Sequence, residues 1–247
     1  METDRLKVIN GDMMKYIAVI PMAIGHFVSY MQSAGVIKDM LWWMNILAYG
    51  SLFAPVIFFF FITEGFRYTR SKKKYGSRLL LFALITQVPY CLASNGTIFT
   101  SNLFLDLNVI FTLFFGLVTL IAWESRNKLS VRIIIVILID VLTCVLGCEW
   151  MIFGVLIILG LHIYRDNSKI RFVWFLVCIF CLNFLLNGLV LSMTFWVGFL
   201  IQLSAYFLMV RCYNGKRGKH PQVAKWFFYV FYPLHFVIIY IAQIILA

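Results

Sequence analysis

Charged residues are scarce in this chain of 247 residues, where Asp, Glu, Lys and Arg together make up 13%, against about 25% in soluble domains. Acidic residues are the scarcer sign, with ten Asp and Glu against 21 Lys and Arg. Apolar residues make up 63% of the chain, and the mean hydropathy is +0.93. This composition excludes an ordinary soluble domain and indicates a polytopic integral membrane protein.

Long polar stretches are also missing. Eight or nine spanning helices need roughly 160 to 180 residues, at about 20 residues each, which leaves only short connections. We therefore expect residues 1–247 to form a single integral-membrane domain with no separate soluble domain. The net charge of +11 is explained by the placement of basic residues beside a membrane, so no nucleic-acid partner is expected.

Nine apolar runs have lengths typical of helical spans. They cover residues 13–31, 45–66, 79–93, 107–123, 132–146, 150–164, 172–187, 189–210 and 226–246. The runs that begin at residues 79 and 132 are short, so eight or ten spans remain alternatives. Asn10, Gly11 and Asp12 precede the first run and predict a helix N-terminus there. The predicted fold class is all-α, a polytopic transmembrane helical bundle.

Basic residues fall on alternate connections between these runs. Twenty of the 21 lie in one set, formed by the N-terminal segment and the connections around residues 67–78, 124–132, 165–171 and 211–225. The other set, which includes residues 94–106, holds only Lys38. The positive-inside rule therefore predicts a cytoplasmic N-terminus and, with nine spans, a C-terminus on the opposite side.

Among the ionisable residues within or at the end of a predicted span, four matter most: His26, His235, Asp140 and Glu64. Placing such a group at the centre of a membrane helix costs about 2.5 to 3.5 kcal/mol, so each one is expected to have a structural or functional role. His26 lies about 20 Å into its run and His235 about 14 Å into its own, so the two could face one cavity. Imidazole accepts and returns protons near neutral pH, which makes them candidate catalytic residues. A structural hydrogen bond between helices is the alternative for either one.

The remaining histidines and the six cysteines have simpler interpretations. His162 and His220 fall at span ends or in connections, where a solvated role is expected. The pairs Cys144/Cys148 and Cys178/Cys181 lie in apolar runs without polar neighbours. We interpret them as small packing residues, so that neither a metal site nor a disulfide is predicted.

The densest charge run reads RYTRSKKKY over residues 67–75. Attraction to anionic lipid headgroups explains such a run without any ligand, and composition alone favours this interpretation. The alternative is a surface for a phosphate-bearing cofactor, since Arg is suited to bidentate contacts with phosphate.

Segments spread along the chain resemble the TraX family of membrane proteins, which is named for the acetylase of the conjugative F pilin. They are residues 14–18, 25–26, 58–75 (FFFFITEGFRYTRSKKKY), 87–90, 107–112, 213–218 (YNGKRG), 225–229 and 232–235, the last lying within the stretch FYPLHF. Many members carry Asp before the first-span His, where this chain has Gly25. Either Asp140 or Glu64 takes over the orienting role of that acid here, or the role is absent. The chain is more distantly similar to the integral-membrane acyltransferases that modify cell-surface sugars.

This resemblance implies an acetyltransferase of the bacterial cytoplasmic membrane that uses acetyl-CoA from the cytosol and needs no metal. The acceptor would be an amine or hydroxyl of a pilin-like polypeptide or an envelope glycan. His26 would be the general base, and His235 would hydrogen-bond the thioester carbonyl or position the acceptor. The candidate cofactor-binding residues are Glu64, Arg67, Arg70, Lys72 and Asn108.

Two other classes of function remain open. A proton-coupled transporter or flippase would use the buried His and Asp as a proton relay. Paired Gly or Pro breaks in matching halves would favour it, but Pro55 and Pro89 have no matching set. A non-enzymatic membrane scaffold is the third class, and it requires the buried ionisable groups to be replaceable.

Overall fold

The computed structural model describes residues 6–97 and 105–246, which are helical apart from connections and two isolated β-bridges. The helices are α1 (Gly11–Ser33), α2 (Trp42–Tyr49), α3 (Phe53–Tyr68), α4 (Lys72–Asn95), α5 (Val109–Trp123), α6 (Leu129–Val145), α7 (Met151–Ile163), α8 (Ser168–Leu186), α9 (Met193–Cys212) and α10 (Pro221–Leu246). A 3-10 turn, Gly50–Leu52, joins α2 to α3 in one helical stretch. The described chain therefore forms nine continuous helical segments, one for each predicted run.

Five of these segments are long and apolar enough to cross a membrane: the α2–α3 stretch, α4, α8, α9 and α10. The shorter helices α5 and α7 are apolar as well. The predicted fold class, a polytopic helical membrane protein, is confirmed. The cytoplasmic location of the N-terminus stays a prediction, and residues 98–104 of the predicted outer connection 94–106 lie outside the described residues.

Helix α4 is longer than its apolar run. The run that begins at residue 79 is short, yet α4 is 24 residues long because it begins at Lys72. Its first residues are three lysines that the apolar count excludes. Long Lys side chains can lie along a helix end with their ammonium groups in water, so a helix can extend beyond its apolar stretch.

The start of α1 follows the sequence signal closely. Asn10 has an extended backbone and caps the helix, because its Oδ1 accepts hydrogen bonds from the backbone N–H groups of Asp12 and Met13 at 3.1 and 3.0 Å. Asp12 lies in the first turn, where a carboxylate interacts favourably with the helix dipole. The predicted N-terminal cap is therefore confirmed.

Contacts within the chain cluster into two compact units. The first contains the described residues of Met1–Ile57, Pro89–Thr97 and Asn187–Ala247. In this unit α1 packs against α2, the 3-10 turn and α10, and α9 packs against α2 and the same turn. The boundaries of the units fall within α3 and α4, and the expectation of a single membrane domain stays a prediction.

The second unit contains the described residues of Phe58–Val88 and Ile98–Leu186. Here α7 packs against α5, α6 and α8, and α5 also packs against α6. Small residues permit the close approach of α5 and α7, because the side chain of Ile158 lies against Gly116 and that of Thr112 lies against Gly154. Helices in membranes commonly associate through small residues in this way.

Candidate active site

The two histidines that are predicted to lie within spans come together in the first unit, where α1 and α10 lie side by side. Both helices run in the same direction, since contacts along one follow the order of contacts along the other. Tyr16 packs on the ring of Phe227 with centroids 5.0 Å apart, and His26 meets His235 further along. Gln243 then donates to the backbone carbonyl of Tyr30 at 2.9 Å. The parallel packing of the helices therefore sets the pairing of the histidines.

Gly25 allows the backbone of the neighbouring turn to approach α1 beside His26. A Cβ at this position would lie against the backbone nitrogen of Ser51 and 2.8 Å from the carbonyl oxygen of Ala48. Both are backbone atoms, which cannot move aside as the end of a flexible side chain can. The side chain of an Asp therefore does not fit at position 25 in this packing.

We expect Gly25→Ala to destabilise the protein, because overpacking against backbone costs about 1 to 3 kcal/mol. The apparent melting temperature in detergent should fall by roughly 2 to 10 °C for a chain of this size. Gly76→Ala is the matched control, since a Cβ there makes only ordinary contacts of 3.7 Å or more. Equal melting temperatures for both variants would contradict the close approach at Gly25.

A hydrogen bond of 2.9 Å joins Nδ1 of His26 to Nε2 of His235. The other nitrogen of His235, Nδ1, lies 3.3 Å from the carbonyl oxygen of Phe231. A carbonyl only accepts, so Nδ1 of His235 carries a proton and Nε2 of the neutral ring accepts. His26 must then donate from Nδ1, which leaves a lone pair on its Nε2. No described residue makes a hydrogen bond to that nitrogen, so it is available to accept a proton.

Aromatic rings surround the histidine pair. His26 stacks on Phe236 with centroids 5.2 Å apart, and His235 stacks on Phe231 at 5.6 Å. Tyr90, from the end of α4, packs edge-on against Phe236. His235 is 5% exposed, whereas His26 is partly exposed. The rings hold both imidazoles in fixed planes, and His26 is the more exposed member of the pair.

The sequence spacing predicts that Phe231 lies beside His235 and that Tyr30 lies beside His26. Phe231 precedes His235 by four residues and Tyr30 follows His26 by four, which places each pair on one helix face. The rings of His26 and Tyr30 are 5.8 Å apart. Tyr90 has no comparable signal, because it comes from a helix distant in sequence.

The basic cofactor-binding candidates lie in the second unit. Arg67, Arg70 and Lys72 are exposed. The guanidinium of Arg67 lies 5.2 Å from the ring of Tyr68, and the ammonium of Lys72 lies 3.9 Å above the ring of Phe66. Two of these three cations thus make cation–π contacts within the protein.

A carboxylate lies near the same segment. Two hydrogen bonds from Arg165 hold the pKa of Asp166 below its usual range, and the positive charge of Arg67 contributes in the same direction. Glu64 is partly buried and interacts electrostatically with Arg165. The surroundings of Arg67 therefore include negative as well as positive charge.

Asn108 has a structural role at the start of α5. It is buried, its Oδ1 accepts from the backbone N–H of Ile110 at 3.0 Å, and its Nδ2 donates to the carbonyl of Ala83 and to Gln87 at 2.9 and 2.8 Å. Gln87 also donates to the carbonyl of Asp106 at 2.7 Å. These bonds use both amide hydrogens of Asn108, and its role in cofactor binding stays a prediction.

Two other ionisable residues, Asp140 and His162, belong to the second unit. Asp140 lies on α6, and no described residue donates to its carboxylate. His162 pairs with Glu124 at 2.8 Å in the second unit. The hydrogen-bond partner of His26 is therefore another histidine rather than an acid. Within residues 6–97 and 105–246, no cluster of three or more His, Cys, Asp or Glu could hold a metal ion.

Two comparisons with known proteins match nearly the whole chain. The profile of the TraX protein family matches residues 10–243, a range that includes both His26 and His235. A relative described as "Probable fimbrial assembly protein FimC, serogroup H1", from Dichelobacter nodosus, is 30% identical over 255 aligned residues that cover 94% of this chain and 95% of the relative. No solved structure matches the chain. The family resemblance is thereby confirmed, and this membrane protein with its paired histidines belongs to the TraX family.

Proposed function

We propose that the protein is a membrane-embedded acyltransferase that moves an acetyl group from cytosolic acetyl-CoA to an amine or hydroxyl acceptor, in the bacterial cytoplasmic membrane. The observation that carries this proposal is the hydrogen-bonded pair of His26 and His235. Its geometry leaves Nε2 of His26 unprotonated and without a partner among the described residues. An available imidazole nitrogen of this kind is what general-base catalysis requires.

The transfer needs one proton acceptor. The amine nitrogen or hydroxyl oxygen of the acetyl acceptor attacks the thioester carbonyl carbon, and Nε2 of His26 takes the proton that this nitrogen or oxygen loses. A C–N or C–O bond forms, the C–S bond breaks, and the proton on His26 passes to the departing sulfur, which leaves as the free thiol of CoA. Direct transfer and transfer through an acetyl-imidazole on His26 both use this nitrogen.

His235 orients the base in this proposal. When His26 gains a proton, the hydrogen bond from its Nδ1 to His235 becomes charge-assisted and therefore stronger. The bond from His235 to the Phe231 carbonyl keeps the accepting nitrogen of His235 free of protons. Both nitrogens of His235 are engaged, which favours this orienting role over a hydrogen bond to the thioester carbonyl. A base held by a second group follows the general logic of catalytic triads.

The acceptor class is supported by the family and by the named relative. The resemblance described above implies a pilin-like acceptor, and the relative's description refers to fimbrial assembly. A pilin-like polypeptide with a free amine is therefore one acceptor class, and an envelope glycan with free hydroxyls is the other.

The test uses purified protein in detergent with radiolabelled acetyl-CoA and one acceptor of each class. We expect free thiol to appear together with label on one acceptor, and label on the protein itself would indicate an acetyl-imidazole. Membranes from cells that lack the protein are the control. Proton uptake into reconstituted vesicles, without thiol release for any acceptor, would contradict the proposal and support the transporter alternative.

A further inference from the structure

In addition to the charge run of residues 67–75, a basic cluster lies in the first unit, on the connection between α9 and α10. It consists of Lys216, Arg217 and Lys219, and we refer to these three residues as the α9–α10 cations. All three are exposed. No described residue accepts a hydrogen bond from their side chains or forms an ion pair with them. They differ in this from Arg67 and Lys72, which lie over aromatic rings.

The backbone that carries these cations is held in place. Ile9 forms a β-bridge with Tyr213, and the N–H of Gly11 donates to the carbonyl of Lys216 at 2.9 Å. The side chain of Asn214 accepts from the N–H of Lys216 at 2.9 Å, and Gly215 has a φ of +73° that favours glycine. The connection is therefore ordered against the segment that precedes α1.

The same place holds the first turn of α1. Lys15 interacts electrostatically with both Asp12 and Arg217, and the carboxylate of Asp12 lies against Gly218. Asp12 lies in the first turn of α1, at the positive end of the helix dipole. Among the described residues, the start of α1 and the connection before α10 therefore meet at Asp12, Lys15 and Gly218.

Lys15 and the α9–α10 cations lie near the starts of the two helices that carry the histidine pair. From Lys15 to His26 the chain of α1 advances eleven residues, about 16 Å along the helix axis. The α9–α10 cations directly precede α10, which carries His235. In acetyl-CoA a long flexible arm separates the phosphate groups from the thioester. This arrangement matches the separation between the cations and His26.

We propose that Lys216, Arg217 and Lys219, with Lys15, bind the phosphate groups of coenzyme A. This inference rests on the proposed function, because it assigns the donor's phosphates to the unit that contains His26. The side chains of Arg217 and Lys219 supply hydrogen-bond donors and positive charge without first leaving a partner in the protein.

The first experiment compares two double variants of the full chain that remove the same charge. Arg217→Gln with Lys219→Gln should raise the Kd for coenzyme A about tenfold or more, because charge-assisted hydrogen bonds are lost. Arg126→Gln with Lys128→Gln, two exposed cations on the connection between α5 and α6, is the matched control and should change the Kd little. Equal Kd values for both variants, or a rise in Kd for the control alone, would overturn the inference.

The second experiment uses S-acetylpantetheine, a donor that has the thioester arm but no phosphates. Intact protein should prefer acetyl-CoA, and the Arg217→Gln/Lys219→Gln variant should lose most of that preference. A preference as large as in the intact protein would overturn the inference while leaving the acyltransferase proposal standing. Absence of transfer from either donor by intact protein would instead be a failure of the proposed function.

Anionic lipid headgroups carry the same phosphate chemistry, and a third measurement separates the two sources. The protein is prepared in detergent without lipid, and vesicles containing phosphatidylglycerol are then added. If the double variant loses vesicle binding but keeps the intact Kd for coenzyme A, the cations bind lipid and the inference is wrong. A loss of coenzyme A affinity in the absence of lipid supports it.

Discussion

His26→Gln is expected to reduce acetyl transfer by at least about a hundredfold, because a positioned general base contributes about 10²- to 10⁴-fold to rate. Gln keeps a polar side chain but cannot accept the proton of the acceptor. Binding of acetyl-CoA should persist, since the imidazole makes no contact that the phosphates or the arm of the donor require. The measurements are the rate of thiol release, the Kd for acetyl-CoA and the elution of the variant in detergent.

A purely structural histidine would behave differently. Hydrogen bonds between helices in membranes average about 0.6 kcal/mol, which would change stability slightly and leave the rate within a few-fold. His162→Gln is the matched control, because it removes a histidine that pairs with Glu124 in the other unit. Transfer by His26→Gln close to that of the control would show that the base lies elsewhere.

The rate of the intact enzyme should also depend on pH. Only a neutral imidazole can accept the acceptor's proton, so transfer should fall as pH drops through the pKa of His26. His26→Gln should lack this acid limb in whatever activity remains. An acid limb of the same shape in both proteins would assign the titration to another group.

The number and order of the helices could be predicted from the sequence, because nine apolar runs and the cap at Asn10 mark them directly. Helix starts were less predictable where basic or aromatic residues begin a helix. The last run was expected to begin at residue 226, whereas α10 begins at Pro221. With α1 beginning at Gly11, both histidines lie about 21 to 23 Å from the start of their helices. Their depths therefore agree, which explains why they meet.

The chemistry of the pair could be predicted only in part. The sequence indicates two imidazoles inside the membrane, but which nitrogen carries the proton depends on the Phe231 carbonyl and on the rotation of both rings. The role of Asn108 was not predictable either, because Ala83 and Gln87, its partners, lie on another helix. Likewise, positive φ angles at Trp150 and Met151 follow from the connection before α7 rather than from a residue preference.

We expect His235 to act by orienting His26 and not by contacting the substrate. Replacing His235 should therefore lower kcat while leaving KM almost unchanged. His235→Ala removes the acceptor for Nδ1 of His26, so the base is free to rotate and to carry its proton on Nε2. We expect kcat to fall roughly tenfold to a hundredfold, as for misplaced catalytic groups. The KM for acetyl-CoA should change little, and expression should stay near normal.

Because His235 is buried, His235→Ala also leaves a cavity, and two further variants separate packing from orientation. His235→Phe refills the space between Phe231 and Phe236 but cannot accept a hydrogen bond, so it should be as slow as His235→Ala while recovering melting temperature. His235→Gln offers an amide oxygen to His26 and an N–H to the Phe231 carbonyl, so it should recover part of kcat. If His235→Phe transfers acetyl at the intact rate, the hydrogen bond to His26 does not orient the base, and His235 serves packing alone.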